Sequence, residues 1–520
     1  IYEYVTTSPP VGFISITYPP TNRLYQRNAS DIGAIDIYGK YTGIVYAIES
    51  RFDGGTWKNI SLNPSNNEFF GQLNVSIGQG DLDIRVCGES NITTIENISV
   101  GDLYLIAGQS NAVGGGINNQ IINDSNIYTP MMYSISDTWT VLKDPVGGWL
   151  GSVWVPLANT IIKETSIPIA FIPTAVSASV ISEWNKGDPN YNNMISQTHE
   201  ATNNTDLIKA LLWYQGEGDA SVNSGVQGEY TPYYTQLGQF STDVMNDINA
   251  ERVLVGQIGE TGESWSIDRS GADNIRKAQQ DLWDNYDNIS YGCITYDINL
   301  TVDRLHFKTD IELGNFSNRW WAGLDYHIYS NTDGRAAKVL NISRSESNKI
   351  VIAMNKSIKP SNVTGNLKGF KIYNGTDDLT DSDITNASVV NGSYIELTLS
   401  STIGTGAKLN YSSYNDANDV IIPIGTTSHE TPIRPIYDES IQIQSVDSCS
   451  PPAINTNHIF DLVDNCTIDD DWDIGTGNIT FINTGTITFN ATIIANSIGN
   501  LPAHQRGYIG SEARVREGGG

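Results

Sequence analysis

Apolar and polar positions alternate in short runs through the first hundred residues. AIDIYG (34–39), GIVYAIES (43–50), GQLNVSIG (71–78) and DLDIRVCG (81–88) are separated by glycine turns, the pattern of half-buried strands. Residues 1–100 are therefore expected to form an N-terminal β-sandwich. From Gly101 to about Ser330 the texture changes. Fully apolar strands (LYLIAG, IPIAFIP, IKALLWYQG, RVLVGQIG, GCITYD) alternate with segments of helical period such as IRKAQQDLWDNY (275–286), which predicts a parallel sheet covered by helices over 101–330. Strand patterning returns in KIVIAMN, GFKIYNG and SYIELTLS, and 331–444 reads as a second, Ig-like β-sandwich. A linker, SVDSCSPPAINT (445–456), opens a β-rich tail, 445–520, whose run NITFINTGTITFNATI alternates strictly. The chain is thus expected to be multidomain, one α/β domain flanked by all-β modules.

Within the α/β segment, apolar strands stop abruptly on polar clusters. YLIAGQSNAVG (104–114) ends its apolar run in Gln109-Ser110-Asn111, at the carboxyl end of a strand, where open α/β sheets place their ligands. A serine there is either a helix cap or a nucleophile. LLWYQGEGDA (211–220) ends in Gln215-Gly216-Glu217. The Gln215 amide and the backbone N–H of Ser110 are candidate donors to an oxyanion. A nucleophilic serine needs a base, and the six histidines are His199, His306, His327, His429, His458 and His504. His306 lies in DRLHF, three residues after Asp303, a spacing that lets the carboxylate reach the imidazole Nδ1 and fix its tautomer.

Composition narrows the partners. The chain has 520 residues and a formal net charge of −28, a surface that repels nucleic acid and anionic membranes. No apolar run reaches 18 residues, so no spanning helix and no membrane insertion are expected. The sequence opens on Ile1, consistent with a removed leader or with numbering that begins inside a longer chain. Asn-X-Ser/Thr occurs about twenty times, about twice the chance frequency for this composition, which favours a secreted, extracellular glycoprotein. Asn28, Asn59, Asn74, Asn288, Asn341, Asn362, Asn478 and Asn490 are candidate acceptors. Cys449 and Cys466 are close enough in sequence to clip a loop as a disulfide, whereas Cys87 and Cys293 read as buried thiols. The acidic runs 377–383 and 469–473 lack a complete calcium-ligand spacing and read as solvated loops.

GQSN at 108–111, AVSASVISEWNKG at 175–187, WYQGE at 213–217 and DRLH at 303–306 occur in that order. Together they resemble the serine esterases of the SGNH-hydrolase superfamily, and among these the carbohydrate esterase family 6, or sialate O-acetylesterase-like, group. The resemblance covers roughly residues 100–330 and implies a three-layer α/β/α domain. It implies Ser110 as nucleophile, His306 as base, Asp303 as its partner, and an oxyanion hole of Ser110, Ala178 and Gln215. Gln109, Asn111, Ser177, Glu183, Trp184 and Glu217 would support the site, with Glu183-Trp184 anchoring their loop. No metal and no cofactor are implied; an acetylated glycan is the expected substrate.

One departure stands out: the second motif usually carries Gly-Gly-Thr or Gly-Gly-Ser, and here it is Ser177-Ala178-Ser179. The backbone N–H survives that change if the local φ is negative. A positive φ would cost on the order of 1 kcal/mol or displace the donor, and a lost donor costs roughly 10²–10³ in rate. A different class of protein also fits: a structural or adhesive subunit of a virion fibre or cell-surface filament that carries or retains only the esterase fold. Its discriminating feature is the tail, where alternation over 478–493 would expose strand edges that recruit a neighbouring subunit, a route to self-assembly.

Overall fold

A computed structural model describes residues 12–443, apart from 260–268, 361–366, 374–377, 413–422 and several stretches of one to three residues, and, within 457–517, chiefly the strand segments. The described chain divides into two compact units, Ile1–Ile328 and Tyr329–Gly520.

In the first unit the strands Phe13–Tyr18, Ile32–Thr42 and Glu68–Ser76 form an antiparallel sheet. Strict alternation along Ile32–Thr42 sends Ile35 and Ile37 inward. There they join Leu73, Ile48, Leu82, Ile84, Ile98 and Val100 in one core. The strand Ile92–Gly108 joins this β region to the parallel sheet. Its first half pairs antiparallel with Gly78–Val86. Its second half pairs in parallel with Ile169–Pro173 on one side and Ala210–Tyr214 on the other. The boundary expected at residue 100 therefore falls inside one continuous strand, and residues 1–100 share a compact unit with the α/β segment. Asp102, fully buried on this strand, receives two guanidinium hydrogen bonds from Arg27, at 2.8 and 3.0 Å. They tie the N-terminal region to the parallel sheet by a charge-assisted, bidentate contact.

Inside the short strand Met131–Tyr133, which pairs in parallel with Ile169–Pro173, five longer parallel strands stand in the order Ile169–Pro173, Ile92–Gly108, Ala210–Tyr214, Val253–Gln257, Ile289–Ile294. Numbered along the chain, that is the flavodoxin-like order, whose switch point lies between the first and third strands. Helices cover both faces, as two consecutive residues of Ala210–Tyr214 demonstrate. Trp213 packs on Phe240 of the helix Tyr230–Asp247, with ring centroids 4.5 Å apart. Tyr214 packs on Phe316 of Asp310–His327 at 4.7 Å. Successive side chains of a strand point to opposite faces, so these helices lie in opposite layers.

The second unit begins with two mainly antiparallel sheets, one of five strands (Val339–Glu346, Lys349–Met354, Ile384–Val390, Tyr394–Leu399 and Gln442–Ile443) and one of four. Asn341 is buried on the first of them, at 4% exposure. A sequon there offers no room for a glycan, which corrects that candidate. Asn28, Asn59 and Asn74 are exposed, Asn288 and Asn478 are half-buried, and Asn362 and Asn490 lie outside the described residues, as do Cys449 and Cys466. Cys293 is buried but Cys87 is exposed, because it comes just after the last inward residue of its strand, Val86.

The tail is a parallel β-solenoid. Each strand pairs with the equivalent strand one coil later: Phe460 with Phe481, Thr467 with Thr488, Trp472 with Ile493. Phe460 and Phe481 stack at 5.6 Å over a core that includes Ile468, Ile487, Phe489 and Ile493. Asn478–Ile482, Thr486–Phe489 and Thr492–Ala495 are each the central strand of a three-stranded parallel sheet. The edges expected to be exposed over 478–493 are covered within the chain, so they give no basis for pairing with another subunit.

Candidate active site

Ser110 opens a one-turn helix, Ser110–Val113, directly after the strand Ile92–Gly108. Gly108 is required at the turn: its φ is +128°, and a Cβ would lie 2.0 Å from the Tyr214 carbonyl oxygen. The Trp154 indole donates to the Ala112 carbonyl at 2.6 Å and fixes the short helix from behind. As the first helical residue, Ser110 keeps an N–H without an intrahelical acceptor.

The Ser110 hydroxyl lies 2.9 Å from His306 Nε2, and His306 Nδ1 lies 2.8 Å from Asp303 Oδ2. The second carboxylate oxygen of Asp303 accepts the backbone N–H groups of His306 (2.8 Å) and Leu305 (3.1 Å). Burial pushes the Asp303 carboxyl upward, but the hydrogen bonds from His306 and Leu305 outweigh it and hold the group below the usual carboxylate range. An ionised Asp303 therefore orients a buried imidazole toward a buried serine. This arrangement is able to take a hydroxyl proton to Nε2 while the oxygen attacks an acyl carbon.

The loop that carries the acid and the base is fastened by two residues. Asn111 donates to the Leu305 carbonyl at 3.0 Å and accepts from the Phe307 N–H at 3.2 Å. Glu312 accepts the Thr301 N–H and hydroxyl on one oxygen, and the Lys308 and Thr309 N–H groups on the other, all between 2.7 and 2.9 Å. Burial raises its carboxyl, and those donors more than reverse the shift. Sequence reasoning missed Glu312, although Thr309-Asp310-Ile311-Glu312 has the form of a capping box and forms one.

Gln215 does not serve as an oxyanion donor. It is fully buried, and its amide nitrogen lies 2.5 Å from Asp219 Oδ2, 3.2 Å from the Ser179 carbonyl and 3.3 Å from Gln109 Oε1. Two N–H groups facing three acceptors leave none for a reacting carbonyl. Its own oxygen accepts from Tyr233 at 3.2 Å. Gln109 is likewise a brace, accepting the N–H groups of Gly216 and Gly218 at 3.2 and 3.0 Å. Asp219, also missed from sequence, accepts the Ile181 N–H at 2.7 Å as well as the Gln215 amide. Gln215→Ala is expected to cost about 1–3 kcal/mol of stability by orphaning buried partners. In a urea titration that loss should exceed any loss of kcat expressed as free energy.

Ala178 has φ +61°, so the loop does require the left-handed conformation that the substitution penalises. Val176 N–H donates to the Gly108 carbonyl at 2.9 Å, which sets this loop beside the strand that presents Ser110. The Ser177 hydroxyl is buried without a hydrogen-bond partner among the described residues. Trp184 is fully buried with its indole on Ser179 Oγ at 3.0 Å, and the exposed Glu183 accepts the Val180 N–H at 3.0 Å. Both anchor the loop. Ala178→Gly would relieve about 1–2 kcal/mol of native strain against about 0.4–1 kcal/mol of added unfolded-chain entropy. A net stabilisation is expected, read as a higher urea midpoint at unchanged slope.

Glu217 is fully buried behind the site. It accepts from Asn111 at 2.6 Å, and its Oε2 has no hydrogen-bond partner among the described residues. Burial pushes its carboxyl up to about 7 against the opposing Asn111 bond. Asp219 is pushed to about 6, again by burial first, against the hydrogen bonds from Gln215 and Ile181. Among the described residues no cluster of three or more His, Cys, Asp or Glu side chains is arranged to hold a metal.

A flavodoxin-like sheet with a Ser-His-Asp line at its switch point is the arrangement of SGNH-like hydrolase domains. Residues 100–317 match the model of the family described as carbohydrate esterase, sialic acid-specific acetylesterase. The resemblance drawn from the four motifs is thus matched, over the α/β segment, by a family of carbohydrate esterases. A probable carbohydrate esterase from Arabidopsis thaliana is 24% identical over 251 residues, 44% of this chain and 91% of that protein. Over 81% of this chain, the fold is similar to that of a carbohydrate acetylesterase from Xanthomonas citri, with a TM-score of 0.58, 16% identity and 99% of that structure covered.

Proposed function

We propose that the protein is a secreted serine esterase that removes O-acetyl groups from an extracellular glycan. The observation that carries this reading is the continuous hydrogen-bonded line from Ser110 through His306 to Asp303. Ser110 Oγ attacks the acetyl carbonyl carbon while its proton passes to His306 Nε2. The carbonyl oxygen becomes an oxyanion facing the Ser110 N–H and the N–H groups of the 177–178 loop. When the intermediate collapses, the C–O bond to the sugar breaks and the sugar oxygen takes the proton from His306. Water, deprotonated by His306, then attacks the acetyl-serine, releasing acetate and restoring the Ser110 hydroxyl. Exposed sequons at Asn28, Asn59 and Asn74 favour an extracellular setting.

The purified protein should release acetate from p-nitrophenyl acetate and from at least one member of a panel of acetylated sialosides, xylans and surface polysaccharides. Acetate release from none of them would remove the proposal.

A further inference from the structure

Beyond the Ser110 site, the first unit carries a partly open cavity of about 220 Å³ between the N-terminal strands and the carboxyl end of the helix Pro189–Thr202. Its walls include Arg23, Tyr25, Asp36, Gln72, Thr202 and Thr205. Arg23 is the unusual member. It is 3% exposed, and its Nε is buried without a hydrogen bond among the described residues. What surrounds it is aromatic: the guanidinium carbon lies 4.8 Å from the Tyr18 ring centroid, 4.7 Å from Tyr25 and 5.8 Å from Trp139. In a chain where 58 acidic residues face 30 basic ones, an arginine set among rings instead of carboxylates is out of the ordinary.

Cation–π contacts of this kind offset part of the desolvation of a cation, yet they satisfy none of its five donors. A buried arginine normally meets a carboxylate or phosphate. The same cavity is lined by a polar pair. Asp36 and Gln72 are cross-strand partners, and the Gln72 amide donates to Asp36 Oδ1 at 2.9 Å. That leaves Asp36 Oδ2 and Gln72 Oε1 as acceptors. A guanidinium, hydroxyl-accepting oxygens and an aromatic ring on the wall of one cavity suit a compact ligand carrying both a carboxylate and hydroxyls.

We propose that this cavity binds an acidic pyranose, its carboxylate on Arg23 and its ring hydroxyls on Asp36 and Gln72. The site shares no residue with the Ser110 line. It therefore stands or falls separately from the esterase reading, as a place to retain a uronic- or nonulosonic-acid unit of a glycan.

Calorimetric titration of the full chain with D-glucuronate, D-glucose and acetate tests it. One saturable site is expected for glucuronate, at least about tenfold tighter than for the other two probes. Arg23→Met should weaken glucuronate binding by about tenfold or more, and Asp36→Asn combined with Gln72→Ala by several-fold. Turnover of p-nitrophenyl acetate should be unchanged in both variants. The wall pair decides the matter if Arg23→Met fails to fold. Four results would each overturn the proposal: no saturable binding, equal binding of glucose or acetate, binding indifferent to the wall pair, or competitive inhibition of esterase turnover by glucuronate.

Discussion

Replacing Ser110 by alanine is expected to lower hydrolysis of p-nitrophenyl acetate by about 10⁶-fold, the scale on which serine hydrolases lose kcat when the nucleophile is removed. His306→Ala should cost about as much, and the double variant little more, because the two side chains act as one unit. Asp303→Asn tests a separate step. An asparagine retains an oxygen but loses the charge that steadies an imidazolium, and its NH₂ group can favour the wrong histidine tautomer; about 10⁴-fold is the expected loss. Thermal unfolding of each single variant, measured alongside, separates lost chemistry from lost folding, since Ser110 and His306 are buried. Full activity in Ser110→Ala would assign the chemistry to some other residue.

Glu217→Gln is expected to change how stability depends on pH more than any other single substitution. The Glu217 carboxyl stands at about 7 in the folded chain, against an ordinary value of 4.5. Its folded-state value is raised, so the favourable contribution is complete below about pH 4.5 and is lost as pH rises through 7. The wild type should lose on the order of 3 kcal/mol from this group across that window, at 1.36 kcal/mol per unit. Glutamine keeps an oxygen to accept from Asn111 and carries no charge, so the variant should show a flatter profile and be the more stable protein at pH 8. Urea titrations at pH 5 and pH 8 decide it: parallel behaviour of the two proteins at both values would show that Glu217 is ionised in the folded state.

The Ser110, Asp303 and His306 cluster was legible because each part is local. A glycine-bounded polar break after an apolar run, and an acid three residues before a histidine, both survive in a bare sequence. Gln215 was misread for a complementary reason. A glutamine at the end of a buried strand looks the same whether its amide faces a substrate or a neighbour, and Asp219 and Ser179, which claim it, are recognisable as partners only once the strands are set side by side. The left-handed backbone at Ala178 is likewise unwritten in the residue, since alanine seldom adopts it. In the tail, Ile-Phe-Thr alternation correctly marked strands. A hairpin and a solenoid coil share that alternation, and only the pairing of Phe460 with Phe481 rather than with an adjacent antiparallel strand tells them apart. Asn341 shows the limit of counting sequons, because a three-residue match carries no information about which face of a strand it occupies.

The strand Ile92–Gly108 bears on how such an enzyme can be inherited or dissected. A cut at residue 100 would hand the hydrolytic segment half a strand, expose Gly101, whose close approach to Pro168 leaves no space for a side chain, and leave Asp102 buried without Arg27. Losing one partner of a buried ion pair costs about 3–5 kcal/mol, a large fraction of what usually holds a domain together. The smallest piece that can be transplanted with its chemistry intact is accordingly the whole unit Ile1–Ile328. Gene fusions that respect this unit should spread, and those that separate the β region from the hydrolase should yield insoluble protein.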